Sequence, residues 1–241
     1  MRHALLLLAL AAAVIASTAS AGAERAGYSC APGPDVSFRA ADGTKLIGHL
    51  FGTGRKAVIL GHQSQSNLCD WVTYARRLAR LGYTAFAIDF RGHGLSQHRQ
   101  GAAGNRLALD LAAAVKVVRQ RGKTKVFLVG ASMGGIAALV AGANVKPPVD
   151  GVVSVSAPAQ FLGMDAVASA PRLRVPVLYL AAADDDNAGY DFSKDAEALY
   201  AATAATDKRL VILPGFLHGV GLVGASARTR SLVESFLKGH P

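Results

Sequence analysis

Short, wholly apolar runs alternate with segments of helical period, and this alternation restricts the fold more than any other feature. Residues 57–61 (AVILG), 84–90 (TAFAIDF), 125–130 (KVFLVG), 151–158 (GVVSVSAP), 175–182 (VPVLYLAA) and 209–214 (RLVILP) read as strands buried on both faces. Between them, Trp71, Tyr74, Leu78 and Leu81 recur at helical spacing up to Gly82, and Leu107, Leu111, Val115 and Val118 up to Gly122. Further helices are expected over 133–143, 193–204 and 226–238. Val36 to Ala40 and Lys45 to Phe51 flank the turn sequence ADGT and read as an antiparallel hairpin. Strands alternating with helices require an α/β fold: a mostly parallel sheet, here of eight strands, with helices on both faces. Sites in such sheets form beyond the carboxyl ends of the strands.

The chain of 241 residues is 51% hydrophobic and 17% charged, which suits a packed domain rather than a disordered chain. Its start is different. Residues 1–23 combine a basic end, an apolar run from Ala4 to Ala16 and two Ala-x-Ala sites ending at Ala21 and Ala23. That is the layout of a signal peptide, followed by a single domain over 24–241. The apolar run is shorter than the ~20 residues of a spanning helix. Cleavage, secretion or periplasmic location, and no stable membrane insertion of the mature chain are therefore expected. An oxidising compartment would also permit a disulfide between Cys30 and Cys69, the only two cysteines.

The formal net charge is +10, falling to +9 if Arg2 leaves with the leader. The positive residues are scattered, with no basic stripe interleaved by aromatics, so nucleic-acid binding is not expected. The seven histidines show no H-x-x-x-H or H-E-x-x-H spacing, there is no cysteine cluster, and no phosphate-cradling glycine loop occurs. Neither a metal nor a cofactor is expected.

One hydroxyl stands out. Gly130-Ala131-Ser132-Met133-Gly134 fits G-x-S-x-G at the junction where a strand stops and a helix starts. Exposing a serine on so sharp a turn requires a strained backbone, and side chains two residues before and two after would collide. Gly130 and Gly134 remove them. The start of the helix leaves N–H groups free where negative charge is favoured, and Met133 N–H should face a developing oxyanion.

With these residues placed, nearly the whole chain after the leader resembles the α/β-hydrolases. The resemblance rests on "AVILGHQSQSNLCDW", "GYTAFAIDFRGHGLS", the G-x-S-x-G turn, and "VPVLYLAAADDD" with "LPGFLHG". It implies the order serine, acid, histidine. Of the histidines after Ser132, His240 is penultimate and expected to fray, which leaves His218 as the base. The acid falls at Asp185, with Asp184 as the alternative; Ala182 stands where the family usually has glycine. The second oxyanion N–H falls to Gln63, after a Gly61-His62 pair that reverses the family's usual order. His62 is expected to bond a loop carbonyl, and the side chains of Gln63, Ser64 and Gln65 could add donors. Asp89 and His93 are expected to brace the turn after their strand, and Trp71 to pack its helix on the sheet.

The stretch from Ala159 to Arg174 is too short for a large cap domain. The implied activity is that of a secreted serine hydrolase cleaving small carboxylic esters through an acyl-enzyme. Thioesters, lactones and peptides suit the same machinery, and a non-catalytic binding protein on this fold is the alternative from another class. Oligomeric state is not indicated.

Overall fold

The computed structural model describes residues 27–98, 106–187 and 189–240. The leader expected over 1–23 lies outside the described residues. The chain opens with the hairpin β1 (Val36–Arg39) and β2 (Lys45–Phe51). At its turn Gly43 takes φ 83°, and Asp42 Oδ1 accepts the Thr44 N–H at 3.1 Å and its hydroxyl at 2.8 Å.

Next come β3 (Lys56–Gly61), a 3₁₀ turn (Leu68–Trp71), α1 (Val72–Arg80), β4 (Thr84–Ile88), α2 (Leu107–Gln120), β5 (Lys125–Ala131), α3 (Met133–Asn144) and β6 (Gly151–Val155). The two-residue strands β7 (Gln160–Phe161) and β8 (Met164–Asp165) precede the short helix α4 (Ala166–Ser169) and β9 (Val177–Ala182). A second small hairpin, β10 (Asp186–Asn187) with β11 (Tyr190–Asp191), leads to α5 (Phe192–Ala202). The chain then runs through β12 (Lys208–Leu213), α6 (Gly219–Ala225) and α7 (Ala227–Gly239).

Eight strands form one sheet in the order β1-β2-β4-β3-β5-β6-β9-β12. Only β2 runs against the others: it pairs antiparallel with β1 and β4, and every other pairing is parallel. Successive side chains of a strand point to opposite faces, so β3 sends Ile59 into one core and Val58 and Leu60 into the other. The first core lies under α2, α3 and α5; the second lies under α1, α6 and α7. α3 is buried on nearly all sides, and Gly134, Gly135, Ala138 and Gly142 let its backbone lie close to the sheet.

Local differences from the sequence reading have simple causes. Trp71 is fully buried in the second core, but it sits in the 3₁₀ turn before α1 rather than in the helix. Leu81 falls beyond the last turn of α1 and is 39% exposed. β4 stops at Ile88, and Asp89 then turns its buried carboxylate inward. It accepts Leu68 N–H at 2.9 Å, Leu95 N–H at 2.9 Å and the hydroxyl of Tyr28. Burial raises the Asp89 pKa against these bonds, which favour its charged form. His240 does not fray: Nδ1 bonds Phe236 O at 2.7 Å and Nε2 lies 2.8 Å from Asp207. The small hairpins were not expected, because two residues are too few to carry a period.

Cys30 and Cys69 form a disulfide with Cα atoms 5.8 Å apart. It ties the segment before β1 to the 3₁₀ turn that closes the loop after β3. Among the described residues no helix is long and apolar enough to cross a membrane.

Candidate active site

Four parallel strands end at one edge of the sheet, and the candidate residues follow them directly: Gln63 after β3, Ser132 after β5, Asp185 after β9 and His218 after β12. Ser132 has φ 50° and ψ −117°, far from the regions serine prefers. Its N–H bonds Val155 O at 2.8 Å, and its carbonyl accepts Gly135 N–H at 2.8 Å and Ile136 N–H at 3.0 Å. The turn is thus held from β6 and from the first turn of α3, which overdetermines the strained conformation.

The flanking glycines are explained by contact. A Cβ at Gly130 would lie 2.7 Å from Gly135 N and nearer still to Gly134 O. A Cβ at Gly134 would lie 2.7 Å from His62 O and overlap Gly61 O. The second collision is with the end of β3 rather than with the turn itself, so Gly134 sets how closely the serine approaches the loop after β3. Met133 and Gly134 open α3, where N–H groups lack intrahelical acceptors.

His218 Nδ1 lies 2.9 Å from Asp185 Oδ1 and 3.0 Å from Oδ2. A carboxylate only accepts, so Nδ1 carries the hydrogen and the neutral ring keeps its lone pair on Nε2. The Asp185 side chain is 2% exposed and that of His218 23%. Asp184 is exposed, and its N–H goes to Gly215 O at 2.9 Å. The turn at Ala182 forms without glycine: Asp185 N–H reaches Ala182 O at 3.3 Å.

Phe192 was not singled out from sequence, yet it touches both partners. Its ring centroid lies 4.4 Å from that of His218, and its N–H donates to Asp185 O at 3.1 Å. The available signal was local: Asp191 caps α5 by accepting Lys194 N–H at 3.1 Å, and a buried aromatic directly follows it.

In the loop after β3, His62 is fully buried. Its Nδ1–H donates to Gln63 O at 2.7 Å and its Nε2 accepts Phe90 N–H at 3.1 Å. Burial pushes its pKa down to about 4, so the ring is neutral at physiological pH. The Gln63 side chain reaches the start of α6, after β12, where its Oε1 accepts Val220 N–H at 3.0 Å. His93 Nδ1 bonds Arg91 O at 3.1 Å, a turn contact. Arg91 itself is buried, joined to Asp110 of α2 at 2.6 Å and to Asp42 at 2.6 Å. Among the described residues no cluster of side chains is arranged to hold a metal ion.

Residues 52–163 match a family model described as serine aminopeptidase, S33. The match takes in Gln63 and Ser132 and stops before Asp185 and His218. Among solved structures, the esterase Pf2001 of Pyrococcus furiosus aligns with a TM-score of 0.72 at 20% identity, over 86% of this chain and 92% of that one. An esterase from Exiguobacterium antarcticum aligns at 0.69 and 19%, over 84% and 99%. A hydrolase from Pseudomonas aeruginosa PA01 aligns at 0.72 and 19%, over 86% and 99%.

Proposed function

From the α/β-hydrolase fold, which this chain has, we propose that it is an exported serine hydrolase acting on small carboxylic esters. The observation that carries the reading is the His218–Asp185 pair at the same sheet edge as the strained Ser132. The esterases among its structural relatives add support.

In this reading Ser132 Oγ attacks the ester carbonyl while His218 Nε2 takes its proton. Asp185 holds the imidazole in the required tautomer and stabilises the imidazolium. The tetrahedral oxyanion sits against Met133 and Gln63 N–H groups, each such donor being worth about 3 kcal/mol of barrier. The imidazolium then gives its proton to the departing alkoxide, leaving Ser132 acylated. Water, deprotonated by His218, attacks the acyl carbon through a second tetrahedral intermediate, and Ser132 leaves as the free hydroxyl. Export fits the leader over 1–23 and the Cys30–Cys69 disulfide. The single domain over 24–241 belongs to the same proposal.

The test combines Ser132→Ala with a fluorophosphonate probe and a graded series of chromogenic esters. The reading expects labelling at Ser132, loss of turnover in the folded variant, and rates that depend on acyl length. A folded wild-type protein that neither labels nor turns over would mark a binding protein instead.

A further inference from the structure

α6 starts one residue after His218 and has no cap of its own. His218 occupies the N-cap position with extended backbone and makes no side-chain bond to the turn. The first N–H groups of a helix need acceptors from elsewhere. Two distant side chains supply them: Ser156 Oγ accepts Gly219 N–H at 3.1 Å, and Gln63 Oε1 accepts Val220 N–H at 3.0 Å.

Their places in the sheet matter. His218 follows β12, three strands away from β5 and Ser132. At ~4.8 Å per strand, the loop must reach back over roughly 14 Å of sheet edge. Ser156 stands just past the end of β6, between β5 and β9; Gln63 stands past β3, on the far side of β5. Ser156 therefore lies along the path the loop must follow, and Gln63 lies one strand beyond its end, on the other side of Ser132.

Two backbone features fit the same arrangement. Ser156 is fully buried at φ 48°, a region non-glycine residues seldom occupy, and its N–H is fixed to Leu180 O at 2.7 Å. Gly219 has φ 53°, and a Cβ there would collide with Gln63 Oε1 and lie 3.5 Å from the Ala131 Cβ. Glycine at 219 thus admits the Gln63 oxygen. It also sets the residue after His218 beside the residue before Ser132.

We propose that Gln63 and Ser156 are positioning residues for His218, capping α6 from two other loops so that the imidazole is held over Ser132. Gln63 also joins the loop bearing the proposed oxyanion donor to the loop bearing the base, so the two move as one piece. This rests on the catalytic reading of Ser132 and His218. It separates the Gln63 side chain, which positions the base, from the Gln63 backbone N–H, which faces the oxyanion.

The test uses Gln63→Met, Gln63→Glu and Ser156→Ala in the mature protein. Kinetics on a chromogenic ester are read together with amide exchange at Gly219 and Val220. Gln63→Met and Ser156→Ala should each lower kcat about tenfold with KM near the wild-type value. Exchange should quicken at Val220 in the first and at Gly219 in the second. Gln63→Glu keeps an acceptor oxygen and should recover most of the lost kcat. If Ser156→Ala fails to fold, Ser156→Gly suits the positive φ and removes the same acceptor. Wild-type kcat in Gln63→Met and in the Ser156 variant would overturn the proposal, even with faster exchange, because the caps would then be only structural. Undiminished turnover by Ser132→Ala would instead remove the catalytic reading, and the positioning role with it.

Discussion

Gly134, at the start of α3, lies so close to Gly61 at the end of β3 that a single added carbon would overlap the Gly61 carbonyl oxygen. The turn that carries Ser132 and the loop that carries Gln63 are therefore in direct backbone contact, with no side chain between them to give way.

Gly134→Ala should accordingly destabilise the fold by about 3 kcal/mol, since backbone rather than a flexible side chain must move. Under the proposed ester hydrolysis, turnover should fall further than stability explains, because the displaced pieces are those that flank the serine. Urea midpoints and kcat on the same preparation check both statements. An alanine variant of wild-type stability would show that β3 and α3 separate freely.

The adjacent aspartates should behave unequally. Asp185 is buried and bonded to His218, whereas Asp184 is exposed and only its backbone is engaged. Asp185→Asn should lower kcat by roughly 10³- to 10⁴-fold, because the amide reverses the donor pattern that holds the imidazole tautomer. Asp184→Asn should stay within about twofold of wild type, since that side chain makes no contact with His218. Comparable losses in both would place the acid elsewhere.

How much of this was open to sequence reading follows from the range of each interaction. The strands were legible because burial on both faces leaves unbroken apolar runs, as in β3 and β5. The serine turn was legible because its steric demands fall on residues two positions away. For the proposed acid the sequence favours Asp185 and keeps Asp184 as the alternative, since consecutive aspartates look alike until one is buried. Phe192, Ser156 and the Gln63 side chain were not legible. Gly219 and Ser156 meet across 63 residues and Val220 and Gln63 across 157, so no local pattern reports either contact.

Acid should weaken the fold partly through His62. Its folded pKa is about 4, below the ordinary value of 6.5, so the unfolded chain binds the proton more tightly. The His62 share of stability is then complete above pH 6.5 and declines by about 3 kcal/mol as pH falls to 4. Below that its contribution is flat. Denaturant unfolding between pH 8 and pH 4 should show this decline in the wild type and a shallower one in His62→Gln. Identical slopes would mean that the ring takes up its proton equally well in the folded and the unfolded chain.

Reduction of Cys30–Cys69 releases a cross-link spanning 39 residues. Chain entropy places its contribution at about 4 kcal/mol. For a domain of this size that corresponds to a fall in Tm of roughly 8–16 °C. Thermal melts with and without dithiothreitol, and of a double Cys→Ser variant, should agree. An unchanged Tm on full reduction would show that the segment before β1 is held by other contacts alone.

Among those other contacts is Tyr28, whose hydroxyl donates to Asp89 and accepts Leu95 N–H at 3.0 Å. It bounds how far the amino end can be pared back. Fusions and trimmed versions that begin upstream of residue 28 keep the phenol in place. A version that begins at residue 29 leaves the carboxylate behind β4 short of one donor.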